Sequence, residues 1–155
     1  LLDCSYNPLI TTIDISNNPL LEILSVGGTA ISTIDLNVHT NLKRFTAESS
    51  QLTSLNLTNN LDLEYLRLDV TPVGTVDVSL NINLTEIRIG NTSANPNWFT
   101  TLNLGSTLNL NNITTLFVQD NPNLTIHVGT SQRVIDFQNI FVAGTHYDVG
   151  TIITI

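Results

Sequence analysis

A 21-residue period governs this chain. Leu21, Leu42, Leu63 and Leu84 are 21 residues apart. Three residues on stand Leu24, Phe45, Leu66 and Ile87, and two further on Val26, Ala47, Leu68 and Ile89. A second set repeats with the same step: Ile31, Leu52, Val73 and Ala94, then Ile34, Leu55 and Val76, then Leu36, Leu57 and Val78. A fixed period of this length means a stacked array in which no unit buries its apolar face alone. Within one unit, the alternation Leu24-x-Val26 puts two apolar side chains on one face of a strand, and Ile34-x-Leu36 does the same for a second strand. Polar residues with Asn, Pro or Gly follow and mark a turn. Two strands and two bends leave no room for a helix of three turns. The unit is therefore a flat coil, and the expected fold is a mainly β solenoid with two parallel sheets and little helix.

The array continues at both ends with slips. Leu2, Cys4, Asn7 and Leu9 match, then Ile13 and Ile15 after one inserted residue. About five extra residues precede Leu102 and Leu104, and three more precede Ile113, Leu116 and Val118. Residues 1–133 thus read as a repeat array of about six coils, irregular at 94–112. Residues 134–155 keep strand-like alternation with breaks at Gly144 and Gly150. They are expected to form a cap with strands and a short helical turn, or the start of a following segment. The chain contains no Met and opens on Leu1 in mid-pattern, so it reads as part of a larger polypeptide.

The stretch "LDCSYNPL" is an instance of L-x-x-L-x-L-x-x-N-x-L, the leucine-rich repeat pattern. With a second "TIDIS" or "TIDL" strand, the unit resembles the short cysteine-ladder repeats of internalin-type bacterial surface proteins. It also looks like the leucine-rich repeat arrays of large secreted Bacteroidota-type proteins, and "NNITTLFVQDNPNLTIHV" resembles their last repeat. The Asn column of the pattern is held by Asn7 and Asn121 and by Thr29, Ser50, Thr71 and Thr92 between them, and the Cys column keeps only Cys4. The resemblance implies a right-handed superhelix, with the first sheet on the concave side and the short second strands on the convex side. It also implies a secreted or cell-surface location, although no signal peptide is visible in these residues.

Composition follows from the repeat. Only 12% of residues are charged, while the chain holds 20 Asn and 22 Thr. Stacked coils align equivalent residues in ladders, where amides and hydroxyls pair and like charges repel. Asn18, His39, Asn60 and Asn81 form one such ladder after the second strand, and the Thr/Ser column forms another at the first bend. A net charge of -8 argues against nucleic acid and against an anionic membrane surface as partners. No window approaches the roughly 18 apolar residues of a membrane span.

The outward positions of the first strand carry the candidate binding residues. They include Arg44, Arg67 and Arg88, three of the five basic residues, together with Tyr65, Glu86 and Phe117. Arg and aromatic residues are enriched at binding hot spots. Two readings stand. A ligand carboxylate or sulfate sits between Arg67 and Arg88, or Glu48, Asp69 and Glu86 neutralise the arginines within the sheet. Trp98, with Phe99, lies in the irregular unit and either forms a binding lip or folds back over a core edge. On the second strand, Thr12, Thr33, Ser54, Thr75, Thr101 and Thr125 precede Asp14, Asp35, Asn56, Asp77, Asn103 and His127. This reads as a solvated face with Thr chosen for β-propensity.

Catalytic signatures are absent from the sequence: it has no G-x-S-x-G, P-loop, H-E-x-x-H or paired Cys at metal spacing. His39, His127 and His146 occupy unrelated coil positions. No enzyme activity, cofactor or metal is therefore expected. The expected function is protein or carbohydrate recognition, as in adhesion, with a rigid spacer in a larger adhesin or surface enzyme as the alternative.

Overall fold

A computed structural model describes residues 1–91, 98–140 and 152–155. Thr92, Ala94, residues 95–97 of the irregular unit, Gly144, His146 and Gly150 lie outside the described residues. The chain is a β-solenoid of about six turns. Its first sheet has six parallel strands: β1 (Leu2–Asp3), β2 (Ile23–Ser25), β3 (Arg44–Thr46), β4 (Tyr65–Arg67), β6 (Glu86–Arg88) and β8 (Thr115–Phe117), in that order. A second parallel sheet is ordered β10 (Ile152–Thr154), β9 (Thr125–His127), β7 (Thr101–Asn103) and β5 (Thr75–Asp77). One α-helix, α1 (Ser131–Ile140), follows β9.

The register follows the sequence columns. Leu24, Phe45, Leu66, Ile87 and Leu116 are direct partners across the first sheet and are almost completely buried. Val76, Leu102 and Ile126 line the inner face of the second sheet. The two inner faces meet in one continuous core, as stacking of coils that cannot bury their own apolar sides requires.

Polar ladders close the turns. Asn60 Nδ2 donates to the carbonyls of Leu36 and His39, at 3.1 and 2.9 Å. Asn81 Nδ2 repeats this one coil later, to Leu57 and Asn60. His39 fills the same column, with Nε2 3.1 Å from the Ile15 carbonyl, so that nitrogen carries the proton. Each side chain thus ties its own coil to the preceding one. At the first bend, Thr29 Oγ1 donates to the Val26 carbonyl, and Thr71 Oγ1 reaches the Ala47 carbonyl of the preceding coil.

The second sheet departs from expectation. Thr75, Thr101 and Thr125 begin strands, but the equivalent segments at Thr12, Thr33 and Ser54 are not strands. The sheet begins where Gly74 adopts φ +74° and its carbonyl accepts from both Thr100 and Thr101. In coils one to three the inward residues Ile13, Ile34 and Leu55 are only partly buried. The Asp/Asn positions beside the Thr column also do more than face solvent. Asp14, Asp35, Asn56, Asp77 and Asn103 each accept the backbone N–H two residues on, forming Asx turns that end the segment.

In the terminal segment a strand comes last, at Ile152–Thr154, and the helical part before it is ten residues long, Ser131–Ile140. Thr130 Oγ1 accepts from Arg133 N at its start. Val134 and the fully buried Phe137 pack against the core. Arg133 donates to the carbonyls of Val128 and Leu108, both at 2.7 Å, which pins the helix onto the last coils.

Candidate functional site

The outer face of the first sheet brings together Arg44, Tyr65, Arg67, Glu86, Arg88 and Phe117. Strand register makes Arg44, Tyr65 and Glu86 neighbours in one row, and Arg67, Arg88 and Phe117 neighbours in the next. The Arg44 guanidinium lies 4.0 Å from the Tyr65 ring centroid, and that of Arg88 lies 4.8 Å from the Phe117 centroid. Each such stack is worth about 0.5–1 kcal/mol at a partly exposed site. Its larger effect is to hold a long side chain in one orientation.

Asp69 answers the like-charge problem between Arg67 and Arg88. Its Oδ2 accepts from Arg67 Nε at 2.9 Å and from Arg88 Nε at 3.1 Å, and its Oδ1 accepts from Gly90 N at 3.0 Å. Glu48 adds a longer contact, 3.7 Å from Arg67 Nη1. Partial burial pushes Arg67 down, but the hydrogen bond to Asp69 and the charges of Glu48 and Asp69 outweigh it and raise its pKa. Arg67 is thus cationic at any working pH. Two of the three expected acids neutralise the arginines. Glu86 makes no ion pair with them among the described residues, because it lies in the row of Tyr65 rather than beside Asp69.

Two glycines flatten this face. The Glu48 carboxylate lies over Gly27, where an added Cβ would come within 2.6 Å of it, and the Phe117 ring covers Gly90. Both glycines belong to the same outward column as Glu48 and Asp69, and the side chains need that empty space to lie along the sheet.

Both arginines meet Asp69 through Nε, and the Nη1 of Arg67 also faces Glu48. No carboxylate lies within 4.0 Å of the Arg44 guanidinium among the described residues. The surface thus holds guanidinium groups in fixed orientations beside aromatic rings.

Trp98 stands apart from this group. It precedes β7 of the second sheet and packs, partly buried, against the core, next to the fully buried Phe99. Sequence reasoning also overlooked the left-handed residue after the first strand. Tyr6, Gly28, Ser49, Val70 and Asp120 all have φ between 56° and 64°. Only Gly28 signals this in the sequence.

Comparison with known proteins adds the following. No protein-family model matches the chain, and no curated protein matches it. Among solved structures, it is similar to the functional domain of InlJ from Listeria monocytogenes, which includes a cysteine ladder, at 23% identity and a TM-score of 0.43. The match covers 83% of this chain and 34% of that chain, so the sequence spans about a third of its length.

Proposed function

We propose that this chain is a non-catalytic recognition module of a secreted or cell-surface bacterial protein, and that it binds a protein or glycan ligand across the first sheet. The observation that supports this reading is the concentration of Arg44, Arg67 and Arg88 on one face, with their guanidinium groups fixed by Tyr65, Asp69 and Phe117. Fixing long side chains before binding removes part of the entropy that association costs. A chain with net charge -8 places three of its five basic residues there.

A second reading, a rigid spacer inside a larger adhesin or surface enzyme, is supported by the buried ladder of His39, Asn60 and Asn81, which ties successive coils together. An array of extracellular proteins and glycans, probed with the 155-residue chain and with its Arg67→Ser/Arg88→Ser variant, separates the two. Recognition predicts ligands that the variant loses. A spacer predicts no ligand for either, and equal binding by both would overturn the proposed surface.

A further inference from the structure

The turn that follows the second strand carries an exposed apolar crest. In this turn the ladder residues Asn18, His39, Asn60 and Asn81, the last three of them buried, are flanked by Val38 and Leu80 on one side and by Leu61 and Ile82 on the other, with Leu20 beside them in the first coil. All five apolar side chains are half or more exposed, from 50% at Ile82 to 78% at Leu20. The fold does not require them to be apolar. Asn17 and Asn59 stand in the column of Val38 and Leu80, and Thr40 stands in that of Leu61 and Ile82. Clustered exposed apolar surface on a fold that does not need it marks an interaction site.

The charges on either side decide what fits. Four residues before each ladder residue stand Asp14, Asp35 and Asp77, with Asn56 between them in the column. Beyond the crest stand Glu22, Asp62 and Glu64, with Lys43 as the one base. Lys43 is held by Glu22 at 3.1 Å. Six of the chain's 13 acids thus flank this edge against one Lys, and every one of the six is exposed. A second copy would bring the same acidic rows against these, and an anionic membrane would be repelled in the same way. The edge is also stiff. Asn59 and Asn83 donate to the carbonyls of Asn37 and Leu61 one coil back, each at 3.1 Å, in addition to the buried ladder. From the first coil to the fourth it runs about 14 Å, the length of about ten residues of helix.

We infer that this turn edge is a docking surface for an amphipathic protein segment whose apolar face is flanked by basic residues. The segment lays its apolar side chains along Leu61, Leu80 and Ile82 and sets its Lys or Arg residues against the two acidic rows. The surface is separate from the first sheet and is independent of the function proposed for it.

Fluorescence anisotropy with two synthetic 18-residue helical peptides tests this. One peptide has a Leu face and a Lys face, and the other has Leu and Glu. The chain is expected to bind the Leu/Lys peptide and not the Leu/Glu peptide, with affinity falling as salt rises. Leu61→Thr/Leu80→Asn/Ile82→Thr replaces the crest with residues that other coils hold in the same columns, so the fold persists, as circular dichroism will show. It is expected to weaken binding about tenfold or more. Asp62→Asn/Glu64→Gln is expected to weaken it about three- to tenfold, while Arg67→Ser/Arg88→Ser leaves it unchanged. Binding by the triple variant within about twofold of wild type overturns the inference, as does equal binding of both peptides. Dimerisation of the wild-type chain that the triple variant abolishes in sedimentation also overturns it, because the crest would then join two copies.

Discussion

Asn60→Ala removes one side chain that joins two coils. Asn60 is fully buried, and its Nδ2 donates to the carbonyls of Leu36 and His39. Alanine leaves both carbonyls buried without that donor. Each lost hydrogen bond is worth about 1 kcal/mol net, and since both carbonyls keep a turn N–H, from His39 and Leu42, the total is about 2 kcal/mol. For a chain of this length, the entropy of unfolding near the midpoint is about 0.3 kcal/mol per kelvin. The expected fall in Tm is therefore about 6 °C. Asn18→Ala is the internal control. Asn18 occupies the same column in the first coil, but it is exposed and its side chain makes no such bridge among the described residues. That change should cost about 0.5 kcal/mol or less. Urea titration followed by far-ultraviolet circular dichroism reads both values. If Asn60→Ala shifts the midpoint no more than Asn18→Ala, the ladder does not join the coils.

Other substitutions test other parts of the structure. Asp69→Ala leaves Arg67 and Arg88 side by side without their shared acceptor and is expected to cost about 1–3 kcal/mol in denaturant titration; adding Arg88→Ser should recover part of this, and no recovery would refute the clamp. Val70 holds φ +57°, which a β-branched residue adopts only under strain. Val70→Asn should therefore raise stability by about 1 kcal/mol, and a lower Tm would contradict the left-handed turn. Hydrogen bonds from Ser16 hold Asp14 below its ordinary pKa. Partial burial pushes Asp77 up, but hydrogen bonds from Ser79 and Asn103 outweigh it, so Asp77 is lowered as well. A lowered folded pKa means stability that is complete above about pH 4 and is lost as pH falls through the depressed values. Asp77→Asn should flatten the acid limb of a Tm-against-pH curve, and an unchanged limb would refute that assignment.

The first sheet was legible in the sequence because its signal is redundant. Leu24, Phe45, Leu66 and Ile87 fix the inward face, and a shift of one residue would turn every one of them outward. The pairing of Arg67 with Arg88 follows from the same register. The second sheet was less legible, since coils one to three carry the same hydroxyl-x-Asp/Asn pattern as the later coils without forming strands. The Asx turns left a readable trace, an Asp or Asn followed two residues later by Ser, Thr, Asn or Gly, but the Thr column beside it drew the interpretation to β-propensity. At the candidate site, the period placed the arginines on one face. It did not show that Asp69 bridges two of them while Glu86 stands aside, because side-chain direction within a row is set by the space over Gly27 and Gly90.

The most direct test of recognition through the first sheet is hydroxyl-radical footprinting of the chain with a ligand found on the array. Tyr65 and Phe117 lie in the proposed contact surface, Trp98 lies by the second sheet, and Tyr6 is exposed at the first bend. The prediction is loss of labelling at Tyr65 and Phe117 on binding, with Trp98 and Tyr6 unchanged. Unchanged labelling of Tyr65 and Phe117, with protection elsewhere, would contradict it.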